Sequence, residues 1–284
     1  MKTLYTIAEV RRHLAPVRHG SMVGLVPTMG ALHDGHLALF RAAKRACGHV
    51  VASLFVNPGQ FSDPADLAAY PRQETRDAEL AAGAGVDAIF VPPVDQMYRP
   101  DEATSLDVGG AAIGFEGTFR PGHFNSVATI CLKLFNIVEP EVAFFGQKDA
   151  QQVAVIKQMV RDLQLNLQIS VVPTVREPDG LALSSRNVRL SADERRRALA
   201  IPRALEAGLQ AREDPARAAR AELDGLDVNY VEVATFDGEP TLVIAVRVGT
   251  TRLIDNVPLN RPDLAGLAPR RAGLSARPAP ERQA

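Results

Sequence analysis

The sequence predicts an α/β protein: a parallel β-sheet covered by helices, then a smaller α+β unit containing a short antiparallel sheet. Up to about residue 175, short continuous apolar runs alternate with amphipathic helical patterns, the crossover connections that parallel strands require. Two of those runs, 22–26 and 141–145, pass through a glycine turn straight into a helix. After Val175 a polar, turn-rich stretch leads to a helical region and three β-rich runs, joined at Asp237, Gly238 and at Gly249, Thr250. At 284 residues the chain exceeds the usual single domain of roughly 100 to 200 residues. The expected organisation is a large domain over 1–175, a small one over 176–262, and a proline-, alanine- and arginine-rich tail over 263–284 that does not pack.

Each element has its own signal. Thr6 and Glu9 form a T-x-x-E capping box, and Ile7, Val10, Leu14 and Val17 mark one face of a helix ending before Gly20. Residues 22–26 suit a buried strand, interrupted by Pro27, Gly30 and Gly35, with Asp34 the expected cap of a helix carrying Leu37 and Phe40. Residues 50–56 are the next buried run, closed by Asn57, Pro58 and Gly59. Gln60 therefore falls just past a strand's carboxyl end, the edge where parallel sheets bind ligands. Residues 74–82 read as a helix, 87–91 as a strand and 104–108 as a short strand. The glycine-rich FEGTFRPGHFNS, holding Arg120 and His123, leads into a helix with Val127, Ile130, Cys131, Leu134 and Val138 on one face. Residues 141–145 form a strand, residues 146–149 a turn, and a helix runs through Leu163 before a strand over 167–175. Ser191 and Glu194 open a second capping box and a helical stretch to about Leu223. The runs 228–234, 241–248 and 251–256 then make the small sheet.

A hydrophobic share of 46% supports real cores, and a net charge of −1 argues against a broad electrostatic footprint for nucleic acid or membrane. Any anion site must be local. No run approaches the roughly 18 apolar residues of a membrane span, so a cytoplasmic protein without membrane or nucleic-acid partners is expected. Cys47 and Cys131 sit in apolar helical patterns and read as two reduced, buried thiols, with a disulfide left open.

The chemistry concentrates in VGLVPTMGALHDGH, residues 23–36. Free N–H groups at a helix start attract phosphate, and Gly30 and Gly35 let the backbone approach it. His33 and His36, three apart, would face the same bound group. A generic HxxH is more often a pair of surface histidines beside a turn. A metal pair is weaker still, with no HExxH and no third ligand at a recognisable spacing. The dinucleotide G-x-G-x-x-G, the P-loop and the G-x-S-x-G elbow are all missing. What remains is a set of turns carrying His33, His36, Gln60, Arg120, Lys148, Asp149 and residues 184–186. Cations and hydroxyls converging on one cleft suit a triphosphate, Arg186 as a planar fork and Lys148 as a point charge. Singly each is weak: Lys148 reads more often as a solvated helix-start lysine, and Arg120 equally as a partner of Glu116.

Taken together, PTMGALHDGH (27–36), FVNPGQF (55–61), YPR (70–72), EGTFRPGHF (116–124), KLFNIVEP (133–140), FFGQKDAQQ (144–152) and DGLALSSRN (179–187), with LIDN at 253–256, resemble in order the motifs of the pantoate–β-alanine ligases. That family belongs to the HIGH-motif nucleotidylyltransferase superfamily. The resemblance implies a Rossmann-like nucleotide- and pantoate-binding domain with a small C-terminal lid. It implies ATP-dependent joining of (R)-pantoate to β-alanine through pantoyl adenylate, with release of AMP and pyrophosphate. It further implies Mg²⁺ held mainly by ATP phosphates and a homodimer through the first domain.

Position by position, the resemblance gives ATP to Met29, Gly30, His33, His36, Gly146, Gln147, Lys148, Asp149, Val175, Leu183, Ser184, Ser185 and Arg186. It makes His36, His33, Lys148 and Arg186 catalytic, gives pantoate to Gln60 and Gln152, and puts β-alanine beside Gln60. Gly59, Gln147 and the Asn125, Ser126 pair depart from the usual pattern and bear on substrate affinity rather than reaction type. The rival activity is a nucleotidylyltransferase of the same superfamily, which would release its nucleotidylated product. A nucleic-acid-binding, synthetase-like protein is disfavoured by the near-zero charge.

Overall fold

The structure is a computed structural model that describes residues 1–61, 64–211 and 213–260, so the tail expected at 263–284 lies outside the described residues. The large unit runs β1 (Lys2–Leu4), α1 (Ile7–Leu14), β2 (Val23–Thr28), α2 (Asp34–Ala46), β3 (His49–Leu54), α3 (Pro64–Ala68), α4 (Glu74–Gly83), β4 (Ala88–Phe90), α5 (Val94–Met97), α6 (Phe115–Phe119), α7 (His123–Val138), β5 (Val142–Gly146), α8 (Ala150–Asp162) and β6 (Gln168–Val172). All six strands are parallel, in the order β1-β4-β3-β2-β5-β6. Alternate strand residues feed a core on each face. Val23, Leu25 and Val51 join α1 and α7 on one side, and Val26, Val50 and Ala52 join Phe40 of α2 on the other.

The strand order reverses between β2 and β5, the switch point at which such sheets bind ligands. There the ladder covers only Gly24↔Val142 and Leu25↔Ala143. Odd-numbered residues of β2 direct their backbone groups toward β5, as the Val23 carbonyl does in accepting from Glu141 N–H. Pro27 is the next in that series and has no N–H to give, so the two strands part and a crevice opens. The sequence expectation that Pro27 ends β2 is therefore corrected: it lies inside the strand and ends only one of its ladders.

The small unit holds α9 (Ala192–Ala198), α10 (Ala200–Gln210) and α11 (Pro215–Ala221), followed by β7 (Asp227–Phe236), β8 (Glu239–Val248) and β9 (Thr251–Pro258) in an antiparallel sheet. The single helical stretch expected to Leu223 is thus three helices. Pro202 cannot donate to the Ala198 carbonyl, where α9 stops, and Pro215 starts the last helix. Leu205, Leu223, Leu242 and Ile244 form this unit's core. The other sheet face, through Tyr230, Val243 and Ala245, packs on Phe115 of α6.

Both capping boxes form, at Thr6 with Glu9 and Ser191 with Glu194. The strand expected at 104–108 does not; Val108 N–H is taken by the Asn125 side chain at 3.0 Å instead of a neighbouring strand. The short edge strand β1 carried no readable signal. Cys47 and Cys131 are free and buried.

Candidate active site

Past Thr28 the chain turns through two consecutive left-handed residues, Gly30 (φ 80) and Ala31 (φ 52). That geometry is held by Asp77 of α4, buried to 2% exposure, whose carboxylate accepts the N–H groups of Ala31 (2.8 Å) and Leu32 (2.9 Å). A Cβ on Gly30 would come within 2.9 Å of the same carboxylate, so the position needs glycine both for φ and for space.

α2 then begins with an imidazole cap rather than the expected Asp34. His33 Nδ1 accepts Gly35 N–H at 3.2 Å, and His36 Nδ1 accepts His33 N–H at 3.2 Å. Asp34 is the first helical residue and no cap. Each Nδ1 is committed as an acceptor, so each neutral ring carries its proton on Nε2. Burial, then the adjacent His33 ring, pushes the His36 pKa down to about 3, and burial followed by Lys148 lowers that of His33. The tilted pair, with ring centroids 4.1 Å apart and planes at 40°, is a neutral two-donor surface at a helix start.

The turn after β5 supplies the facing wall. Lys148 is only 18% exposed, with its Nζ 3.5 Å from Asp149 Oδ1. Enclosure opposes charge on Asp149, but Lys148 and then Arg186 outweigh it and hold the carboxyl below its usual range. The segment after β6 closes a further side. Arg176 pairs with Ala182 in an antiparallel bridge, Leu183 N–H reaches the Val175 carbonyl at 3.0 Å, and Ser184 Oγ accepts Arg186 N–H at 3.2 Å. Asn187 Nδ2 donates to Glu177 (2.7 Å) and the Ala182 carbonyl (3.0 Å), and Arg195 clamps Glu177 and Asp179.

At the other end, Gln60 ends a short turn and its carbonyl accepts from Arg120 Nη2 at 3.1 Å, while Arg120 Nη1 lies 3.1 Å from His123 Nε2. Burial, then Arg120, pushes His123 down to about 4. The Glu116 pairing considered for Arg120 does not occur, because Arg252 occupies that carboxylate at 2.5 and 2.7 Å.

These walls line one cleft, open at its mouth. Of the sequence-predicted residues it is lined by Met29, His33, His36, Gln60, Gly146, Lys148, Asp149, Gln152, Val175, Leu183, Ser184, Ser185 and Arg186. Gly30 and Gln147 do not line it. Gly30 shapes the loop from behind, and the Gln147 side chain turns away to donate to Asn256 Oδ1 at 3.2 Å. Arg120 and His123 line it as well, although no substrate was assigned to them from sequence. Among the described residues, no group of three or more His, Cys, Asp and Glu could hold a metal ion.

A parallel sheet split at its switch point, with a histidine-capped helix on one wall and a lysine turn on the other, defines an α/β enzyme that acts through a nucleotide. The chain belongs to the pantoate–β-alanine ligase family, whose model matches residues 2–258. It is 49% identical to a pantothenate synthetase of Moorella thermoacetica over 91% of this chain and 99% of that protein. Its structure is similar to a pantothenate synthetase of Thermus thermophilus at TM-score 0.85 and 42% identity, covering 91% of this chain and 99% of the other. A pantoate–β-alanine ligase of Francisella tularensis, solved with β,γ ATP and β-alanine, aligns at TM-score 0.78 and 34% identity, over 92% and 98% of the two chains.

Proposed function

We infer that this protein joins (R)-pantoate to β-alanine at the expense of ATP, through pantoyl adenylate, releasing AMP and pyrophosphate. The observation that carries this reading is the single cleft lined both by His33, His36, Lys148 and Arg186 and by Gln60 and Gln152. The first set offers neutral N–H donors and fixed positive charge for phosphoryl oxygens. The second offers amides for the hydroxyl and carboxylate of a small acid.

The pantoate carboxylate is already a nucleophile, so attack on the α-phosphorus depends mainly on alignment and on donors aimed at the developing charge. His36, which burial keeps toward the neutral form, acts there as an Nε2–H donor. Lys148 and Arg186 balance the charge of the departing pyrophosphate. The neutral amine of β-alanine then attacks the pantoyl carbonyl, and AMP leaves. The donor set fits Mg²⁺ held mainly by phosphate oxygens and water, with Asp149 as the acidic side chain at hand. Bound there, the ion would offset phosphate charge.

We place the boundary between the units at residues 175 and 176, with the second unit acting as a lid that keeps water from the mixed anhydride. A homodimer through the large unit and a cytoplasmic location complete the reading. In line with the latter, no helix among the described residues is long and apolar enough to cross a membrane. The test is AMP release with ATP, pantoate and β-alanine, omitting each in turn. AMP forms only with all three. Accumulation of a nucleotidylated product indifferent to β-alanine would favour the nucleotidylyltransferase instead.

A further inference from the structure

The LIDN stretch at 253–256 falls on β9, which borders two hollows adjoining the cleft: Arg252 shares one with Arg120, Lys148 and Arg186, and Asn256 the other with Lys148, Asp149 and Gln152. β9 is also bonded to two of the cleft's walls. Along the strand, Leu253 and Val257 enter the small unit's own core, whereas Arg252 and Asn256, on the alternate positions, reach the large unit.

Asn256 is 4% exposed. Its Nδ2 donates to the carbonyls of Gln147 (2.9 Å) and Lys148 (2.8 Å), and its Oδ1 accepts from Gln147 Nε2 (3.2 Å). One amide thus fixes the backbone of the turn that presents the Lys148 ammonium.

Arg252 grips the buried Glu116 of α6 through two parallel bonds, and Tyr230 donates its hydroxyl to the same carboxylate at 2.8 Å. The Glu116 carbonyl accepts Arg120 N–H at 2.8 Å, and the Arg120 guanidinium holds the Gln60 carbonyl. A second line of bonds therefore runs from the same strand to Arg120 and Gln60 of the cleft wall.

We propose that β9 is a positioning strut for the cleft: Asn256 sets the turn that carries Lys148, and Arg252, through Glu116 and α6, sets Arg120 and Gln60. The proposal rests on the ligase reading above, which gives Lys148 to phosphate and Gln60 to pantoate. Asn256 and Arg252 are positioning residues, since their polar atoms are spent on Gln147, Lys148 and Glu116. If they served only to hold the units together, their loss would lower stability and affect both substrates alike. A strut with two separate arms predicts a split.

The experiment is steady-state kinetics on two substitutions, with thermal melts alongside. Asn256→Asp keeps the shape but replaces two donors by an oxygen facing two carbonyls. It raises KM for ATP about tenfold and leaves KM for pantoate within about twofold of the parent. Arg252→Met keeps the apolar stem and raises KM for pantoate about fivefold or more, with KM for ATP within about twofold. The milder Asn256→Ser and Arg252→Lys give the same split at smaller amplitude if either first variant fails to fold. Parallel changes for both substrates, or altered stability with neither KM changed, would overturn the strut. Equilibrium binding of ATP without turnover reads the Asn256 arm independently of the ligase reading, which fails on its own if the parent shows no β-alanine-dependent AMP release.

Discussion

At His36 one backbone hydrogen bond decides the chemistry of the ring: the His33 amide takes Nδ1, so Nε2–H is what a bound group can meet. Removing it by His36→Ala is expected to lower turnover by about 10² to 10³, the typical cost of losing one such donor, with the fold intact. Turnover within about threefold of the parent would assign that charge stabilisation to another group. The same ring gives a pH prediction. Its folded pKa, about 3, lies below the value near 6.5 of an unfolded histidine, so between those limits the unfolded chain binds the extra proton. The stability gained from burying a neutral ring is complete above about pH 6.5 and is lost as pH falls toward 3. His123, at about 4, acts in the same direction. Denaturant titrations at pH 7 and 5 should show a smaller drop in His36→Ala than in the parent, and equal drops would refute the assignment. Gln60→Ala is expected to weaken pantoate by about 1 kcal/mol and ATP far less; equal losses would move Gln60 out of the acid site. The histidine pair was legible in the sequence, but its cap was not. Asp34 is the better capping residue by propensity, and the imidazole prevails because the turn places Nδ1 of His33 against the helix's own Gly35 N–H.

Among the elements, strands and helices with strong periodicity were readable, and those held by distant partners were not. β2, α7 and β8 follow directly from their apolar patterns. β1 is three residues long and forms only because β4 offers an edge. The stretch 104–108 looks like a strand by composition, yet its backbone is engaged by Asn125. Asp77 passes in sequence for a solvated helix-start acid, because the N–H groups it holds belong to residues 31 and 32. By composition alone the 176–190 segment read as polar and turn-rich, and the clamp of Arg195 on Glu177 and Asp179 gives it a defined form. Arg186, presented by that segment, is expected to act on the nucleotide. Arg186→Ala should weaken ATP binding, slow adenylate formation and reduce ATP-induced hydrogen-exchange protection over 176–190. Its use of supplied pantoyl adenylate should change much less. The reverse pattern would put Arg186 at the amine site.

For the whole molecule, a parallel sheet followed by a small antiparallel one was visible in the sequence, but the attachments between the two were not. Glu116 and Arg252 lie 136 positions apart, and an i,i+4 reading would have paired Glu116 with Arg120 instead. Those attachments bring the histidine helix, the lysine turn and the Ser184 to Arg186 segment around one cleft, which is what a stepwise reaction through a bound adenylate requires. That stepwise order is the central claim, and it is tested most directly by exchange of labelled pyrophosphate into ATP. The account predicts exchange with pantoate and Mg²⁺ in the complete absence of β-alanine. Exchange that appears only when β-alanine is added would contradict it.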